Sequence, residues 1–363
     1  MDYSSRLEFH YRPKKGWIND PNGLVYFKGY YHVFYQYAPN HEIPWQEPMH
    51  WGHARTKDFL EWEELPIALT PDAPYDKSGC WSGTAIVKDG KMYLFYAGIT
   101  AVSTIAVAVS EDGVNFEKYG NNPVISTYPP EGGPDFRDPA VCRIGGAYYC
   151  VVASGHPQTK KARLLLYRSE NLFDWEYRSV LCEWDEAKYA ECPSIVPLDN
   201  GKCLLAASVC NLDETHFFQI MLGRFENGVF VPELSDRFDK GPDQYAGQMF
   251  VSADGRPLLM TWIPGWSYAG FEKGRDVGCM SLPREIVVEN GRICGRPASE
   301  VAHLLKDSDE SVRLTDDGFV VERKSRPDLV HKGEVRNLKI LRDKYIMEIF
   351  VNGGETVYSL LLC

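Results

Sequence analysis

The stretch LVYFKGYYHVFY, residues 24–35, predicts an apolar β-strand, a tight turn that ends in Gly29, and a second apolar strand. The same order recurs four more times, at intervals of 61, 56, 55 and 54 residues, around the turn glycines Gly90, Gly146, Gly201 and Gly255. In most units a third strand and a turn closed by an aromatic residue follow. Four short antiparallel strands in each of five units are typical of a five-bladed β-propeller. A β-sandwich would also contain short strands, but not this fixed order of turns.

The pattern changes beyond about residue 298. Residues 303–328 are rich in charge, and strand patterns return at 338–341 and 345–351, followed by a hairpin turn at 352–354. We therefore expect an all-β protein with a five-bladed β-propeller over residues 1–297 and a small C-terminal β domain over 298–363. The C-terminal domain would be a truncated β-sandwich. A segment of this size is marginal as an independent core, so it should pack on the propeller.

Composition excludes some functions. The formal charge of −11 argues against a nucleic-acid or anionic-membrane partner, because both need a basic face. No apolar run is long enough to span a bilayer, and no signal peptide is evident at the start of the sequence. The ten cysteines contain no C-x-x-C pair, which favours buried free thiols in a reducing compartment. We expect a cytoplasmic protein, and its oligomeric state stays open.

Three acidic residues occupy matching places in the repeat. Asp20, Asp138 and Glu191 lie nine, eight and ten residues before their turn glycines. In a radial repeat, equivalent positions converge on one axis. A single Asp-Pro pair is more often a turn than a site, but three carboxylates in register reverse that preference. Bringing them together in one pocket costs free energy through mutual repulsion and desolvation. The pattern therefore indicates a site that carries out chemistry.

The local settings of these acids differ. A proline follows Asp20 and Asp138 and stiffens the backbone beside each carboxyl. Arg137 supplies a cation that would keep a neighbouring carboxylate ionised. Glu191 lies in a less polar run, which suits a general acid.

The chain resembles glycoside hydrolase family 32, which contains invertases, sucrose-phosphate hydrolases, inulinases and levanases. The resemblance covers roughly residues 6–290 and resumes weakly at 348–354. It is carried by these motifs: WINDPNG at 17–23, FYQY at 34–37, MHWGHA at 49–54, CWSG at 80–83, FRDP at 136–139, ECP at 191–193 and SLPRE at 281–285.

The resemblance implies a retaining glycosidase that releases terminal β-D-fructofuranosyl units from sucrose, sucrose 6-phosphate or short fructans. It implies Asp20 as nucleophile, Glu191 as acid/base and Asp138 as transition-state stabiliser, with a small sugar as substrate and no metal or organic cofactor. The other candidate substrate-binding residues are polar or aromatic: Asn19, Gln36, Ser82, Arg137, Trp45, Trp51, Trp81, Trp266 and, at the equivalent position of the fifth blade, Tyr245. For a single tryptophan, packing between blades is the commoner explanation. Trp81 is the exception because Ser82 follows it at the repeat position of the acids.

Two alternatives stay open. An inverting five-bladed pentosidase acting on arabinose or xylose would need about 6.5–9.5 Å between its two carboxyls; the WINDPNG and ECP motifs weigh against it. A non-catalytic sugar-binding propeller is disfavoured because all three acids are present. Transfer of fructosyl groups to sugars instead of water also remains possible.

The chain departs from the family pattern in three places. The cavity rim should differ at residues 45–51 and 276–278, and the C-terminal domain is less than half of the usual length.

Overall fold

The computed structural model describes residues 7–42, 46–156, 158–263, 278–324 and 326–362. Within these ranges the chain forms 27 β-strands and one short 3-10 turn, Ala302–Leu304. Among the same residues, no helix has the length and apolar character that a membrane crossing requires.

Five antiparallel sheets follow one another along the chain, and four of them keep their strands in chain order. The first contains β1 (Trp17–Phe27), β2 (Tyr30–Ala38), β3 (His50–Thr56) and β4 (Trp62–Leu69). The second contains β5 (Gly79–Lys88), β6 (Lys91–Ile99), β7 (Ser103–Ser110) and β8 (Glu117–Lys118). The third contains β9 (Asp135–Ile144), β10 (Ala147–His156), β11 (Lys161–Ser169) and β12 (Glu176–Asp185). The fourth contains β13 (Ala187–Pro197), β14 (Lys202–Asn211), β15 (His216–Glu226) and β16 (Val229–Arg237).

The fifth sheet is slightly irregular. It contains β17 (Tyr245–Val251), β18 (Pro257–Ile263), β19 (Cys279–Met280), β20 (Arg284–Glu289) and β21 (Arg292–Pro297). The short strand β19 pairs with β18 outside the main order β17-β18-β20-β21.

The first strands of the five sheets surround one axis. Each of β1, β5, β9, β13 and β17 contacts the next, and β17 contacts β1, so the sheets are the blades of a ring. The predicted five-bladed β-propeller is therefore confirmed. The turn glycines match their predicted role, since Gly29 and Gly90 have φ values of 87° and 73°, which favour a residue without a Cβ.

Buried polar side chains tie the inner strands together. The side-chain amide of Gln248 accepts a hydrogen bond from the Leu24 N–H and donates one to the Gly83 carbonyl, both at 3.0 Å. The hydroxyl of Thr84 donates to the Pro139 carbonyl at 3.0 Å. Because these bonds link the last inner strand to the first two, and the second to the third, they fix the relative positions of the strands that carry the site.

The residues after Pro297 form two further three-stranded antiparallel sheets. One contains β22 (Val312–Thr315), β23 (Gly318–Val321) and β24 (Leu329–Lys332); the other contains β25 (Leu338–Asp343), β26 (Ile346–Val351) and β27 (Thr356–Leu361). Apolar side chains of both sheets, such as Phe319 and Ile349, share one buried cluster. The division of the chain into domains at residues 297 and 298 stays a prediction.

A buried network of charges joins these sheets to the propeller. The guanidinium of Arg284 contacts Asp239 at 2.6 Å and Glu348 at 2.7 Å. The ring of His10 contacts Asp343 at 3.0 Å and Glu348 at 2.9 Å. Burial lowers the pKa of His10, but its hydrogen bonds to Asp343 and Glu348 and their charges outweigh burial and raise it to about 9. The C-terminal strands are thus fixed to β20 and to the segment before β1 by ion pairs shielded from water.

Candidate active site

The five inner strands share a local irregularity. Each has a shift in its pairing register near its amino-terminal end, and the shifts lie at Asp20 in β1, Ser82 in β5, Asp138 in β9, Cys192 in β13 and Ala246 in β17. Asp138 and Cys192 have positive φ values of 56° and 47°. A β-bulge bends its strand and re-aims a side chain. The bulges occur where the repeat places the candidate residues.

These strand ends line a cavity of about 440 Å³. Its lining residues are Asn19, Asp20, Gln36, Trp81, Ser82, Asp135, Arg137, Asp138, Tyr189, Glu191, Glu214 and His216. The structure therefore brings together all three predicted acids and five of the other predicted site residues.

Hydrogen-bond donors from three strands hold the carboxyl group of Asp20. Its Oδ2 accepts from the Ser82 hydroxyl at 2.7 Å and from the Cys192 thiol at 3.3 Å, and its Oδ1 accepts from the Asn19 amide at 3.1 Å. Burial and the charge of Glu191 raise the pKa of Asp20, while the three donors lower it. A carboxylate fixed in this way, at the wall of an open cavity, is suited to attack an electrophilic carbon.

Glu191 makes two strong hydrogen bonds. Its Oε1 accepts from Nη2 of Arg137 at 2.9 Å, and its Oε2 accepts from the Tyr245 hydroxyl at 2.7 Å. The Glu191 side chain is 18% exposed, so it meets the cavity. A carboxyl that is both oriented and accessible can exchange a proton with a ligand.

Asp138 is the most enclosed of the three acids, with 4% of its surface exposed. Its Oδ2 accepts a hydrogen bond from the Cys192 N–H at 2.9 Å. Burial raises the pKa of Asp138 to about 7; Arg137 opposes this, and the charges of Glu191 and Asp20 add to it. Within the described ranges, no group of three or more His, Cys, Asp or Glu side chains is placed to hold a metal ion.

Arg137 connects the acids of the cavity. Besides Glu191, it pairs through Nη1 with Asp135 and lies 3.8 Å from Oδ2 of Asp138. The guanidinium lies 5.8 Å from the Trp81 ring centre and 5.1 Å from that of Tyr189. Two aromatic faces thus hold the cation in place.

Two of the predicted substrate-binding residues, Trp51 and Tyr245, are not among the residues that line the cavity. Trp51 is completely buried, packs against Phe34 and Tyr96, and donates through Nε1 to the Trp81 carbonyl at 3.0 Å. It does not line the cavity, because its ring fills the space between two blades. Tyr245 is 2% exposed, and its hydroxyl donates a hydrogen bond to Glu191. It therefore contacts the Glu191 carboxyl and does not line the cavity.

Two predicted residues, Trp45 and Trp266, lie outside the described residues, as do positions 276 and 277 of the predicted rim.

Four cavity residues were not predicted from the sequence: Asp135, Tyr189, Glu214 and His216. Asp135 and Tyr189 each lie two positions before a predicted residue, and alternation along a strand would have placed them on the same face. Glu214 lies in the connection between β14 and β15, and His216 is the first residue of β15. The sequence repeat gives no signal at either position. His216 lies edge-on to Tyr245, with ring centres 5.1 Å apart.

Comparison with known proteins gives a consistent result. Residues 10–297 match the family described as glycosyl hydrolases family 32, N-terminal domain. A raffinose invertase of Escherichia coli is 36% identical over 317 residues, which cover 82% of this chain and 65% of that protein. A sucrose-6-phosphate hydrolase of Escherichia coli is 37% identical over 329 residues, covering 84% of this chain and 66% of that protein. The chain thus spans slightly less than two thirds of the length of these curated relatives.

A solved structure is also similar. A family 32 β-fructofuranosidase from Bombyx mori, determined as a mutant in complex with sucrose, superimposes with a TM-score of 0.84 at 28% sequence identity. The match covers 99% of this chain and 89% of that one.

Proposed function

The chain belongs to glycoside hydrolase family 32, and from this premise we propose that it is a retaining β-fructofuranosidase. Its substrates would carry a terminal β-D-fructofuranosyl unit, as sucrose, sucrose 6-phosphate and short fructans do. The observation that carries this proposal is that Asp20 and Glu191 face one cavity from different blades, each held by its own donors. Two such carboxyls are what a retaining glycosidase needs, at about 5–5.5 Å from each other.

In the proposed reaction, Glu191 protonates the glycosidic oxygen while Asp20 attacks the anomeric carbon of the fructosyl unit. The leaving sugar departs, and a covalent fructosyl-enzyme forms at Asp20. Glu191, now ionised, then takes a proton from water, and the resulting hydroxide displaces Asp20 from the anomeric carbon. Arg137 and Tyr245 keep Glu191 in one orientation for both proton transfers.

We assign Asp138 to the stabilisation of the transition state through hydrogen bonds to fructosyl hydroxyls. Its enclosure and its bond from the Cys192 N–H support this role, because they fix an acceptor in the wall of the cavity. Direct contact with the sugar is assigned to the polar or aromatic cavity residues Asn19, Gln36, Trp81, Ser82 and Arg137.

A cytoplasmic location is part of the same proposal. It is supported by the nine cysteines in the described residues, all of which are free thiols. The charge of −11 disfavours a nucleic-acid partner.

Fructose release from sucrose, sucrose 6-phosphate, 1-kestose and inulin, measured side by side, tests the proposal. We expect release from at least one of them, with the β-anomer of fructose formed first in NMR spectra recorded during turnover. Formation of the α-anomer first would show inversion instead of retention. Oligosaccharide products at high sugar concentration would show transfer to sugars. No release from any of the four substrates would overturn the proposal.

A further inference from the structure

Asp135, at the start of β9, has no role in the proposed reaction, yet its side chain lines the cavity. Side chains alternate along a strand, so Asp135 and Arg137 are neighbours on one face, and Oδ1 of Asp135 pairs with Nη1 of Arg137. The side chain of Asp135 is 31% exposed, against 10% for that of Arg137.

The partner of Asp135 across the sheet is a glycine. Gly155 in β10 is opposite Asp135, and a Cβ there would lie 3.2 Å from Oδ2 of Asp135 and 2.6 Å from the Lys188 carbonyl oxygen. The second distance is shorter than real Cβ contacts, so no other residue fits without a backbone shift. The absence of a side chain at position 155 leaves space beside Oδ2 of Asp135.

The positive charge of Arg137 is shared among three carboxyls. Nη1 pairs with Asp135, Nη2 lies 2.9 Å from Glu191, and Nε lies 3.8 Å from Asp138. A carboxylate close to a guanidinium offsets part of its positive charge. It thereby reduces the stabilisation that the guanidinium gives to the other carboxylates. Asp135 therefore competes with Glu191 for one cation.

Other titratable groups also face Arg137 and Glu191 from the surrounding strands. They are Asp20 of β1, Asp138 of β9, Tyr189 and Cys192 of β13, His216 of β15 and Tyr245 of β17. Lys188 and Glu214 pair with each other at 2.7 Å and act on the pKa of His216, and Glu214 also lines the cavity. Among these groups Arg137 is the cation in direct contact with Glu191. The charges around Arg137 therefore have the strongest effect on the carboxyl that is proposed as acid/base.

We propose that Asp135 is a positioning residue that holds Arg137 and offsets part of its charge beside Glu191. This inference rests on the proposed function. It follows that Asp135 extends activity to higher pH, because Glu191 must carry a proton to release the leaving sugar. Neither the repeat nor the family motifs assign a role to this position.

The test is the pH profile of kcat/KM for fructose release by Asp135→Asn and Asp135→Glu. The amide of Asp135→Asn can still accept from Arg137 but carries no charge. We expect its descending limb to move to lower pH by about half a unit to one unit, which lowers kcat/KM at pH 8 about three- to tenfold. The ascending limb of the pH profile should move by less than the descending limb. Asp135→Glu keeps the charge, so the descending limb of its pH profile should lie close to that of the wild type.

An activated aryl fructoside provides a second readout. Its leaving group needs little protonation, so the loss at high pH in Asp135→Asn should largely disappear with this substrate. Glu183→Gln is the matched control: Glu183, in β12 of the same sheet, is 41% exposed and pairs with Lys161 and Arg163. It removes one carboxylate from the same blade and should leave the profile unchanged.

Three results would overturn the inference. An unchanged pH profile in Asp135→Asn with a lower melting temperature would show a purely structural role. An increase in KM alone, at all pH values, would show contact with the sugar. An equal shift in Glu183→Gln would show a general effect of charge. Failure of the proposed function is distinguishable, because the wild-type protein would then release no fructose, and this inference would fall with it.

Discussion

The hydroxyl oxygen of Tyr245 lies 2.7 Å from Oε2 of Glu191, although the two residues are 54 positions apart and belong to different blades. Tyr245 is buried, and burial, followed by the charge of Glu191, raises its pKa well above the usual value. The phenol is therefore a hydrogen-bond donor at any working pH. Together with Arg137 on the other oxygen, it fixes the plane of the Glu191 carboxyl.

Tyr245→Phe should lower kcat about tenfold and change KM little, because phenylalanine keeps the packing but leaves Oε2 of Glu191 without its donor. Steady-state kinetics on the best natural substrate measure this. Tyr167→Phe is the control, since Tyr167 is also buried and its hydroxyl has no hydrogen-bond partner among the described residues. Equal losses in both variants would contradict the prediction.

Asp20→Ala and Glu191→Ala should each reduce fructose release about a thousandfold or more, because each removes a group needed at the reacting bond. Circular dichroism should show the fold intact. An activated fructoside should partly restore turnover to Glu191→Ala but not to Asp20→Ala, since a good leaving group needs no proton but still needs a nucleophile. Near-normal turnover in either variant would exclude the assigned roles.

Asp138→Asn should abolish most activity yet stabilise the fold at neutral and higher pH. Burial raises the pKa of Asp138 to about 7, so the folded state favours the protonated form. The stability associated with that form is fully present below the unfolded pKa of about 4 and is lost as pH rises through about 7. We expect the melting temperature of Asp138→Asn to exceed that of the wild type by a few degrees at pH 8 and by less at pH 5. The reverse order would show that the ionised carboxyl is favoured.

His10 should make stability fall between pH 6.5 and 9. Its pKa is raised to about 9 by Asp343 and Glu348, against the effect of burial, so the protonated ring stabilises the fold below its unfolded pKa of about 6.5. This contribution, on the order of 3 kcal/mol, is lost as pH rises through about 9. Urea unfolding of wild type and His10→Gln across this range measures it. Parallel curves for the two proteins would contradict the ion-pair interpretation.

Glu348→Gln tests how the C-terminal strands are held. The change leaves Arg284 and His10 buried with less compensating charge, and should reduce the free energy of unfolding by about 3–5 kcal/mol. The control is Lys339→Gln, which breaks an exposed pair with Asp307 and should cost less than about 1 kcal/mol. Similar small losses in both variants would show that the buried pairs contribute little to docking.

Periodicity in the sequence was enough to establish the architecture. A glycine that must adopt positive φ, between two alternating apolar runs, leaves few options for the backbone, and five repetitions of that unit require a radial arrangement. The same periodicity identified Asp20, Asp138, Glu191 and Ser82, because equivalent positions in a ring point to one axis.

Contacts between distant segments decided the rest. Trp51 and Trp81 were both predicted from the sequence to contact the substrate, yet one ring fills the space between two blades and the other meets the cavity, because the twist and packing of neighbouring sheets determine which side is open. The buried network around Arg284 depends on partners 45 and 64 positions away. The sequence by itself therefore determined the repeat and the acids that follow it. The tertiary structure decided which other side chains reach those acids, since burial and charge balance depend on segments that no local pattern relates.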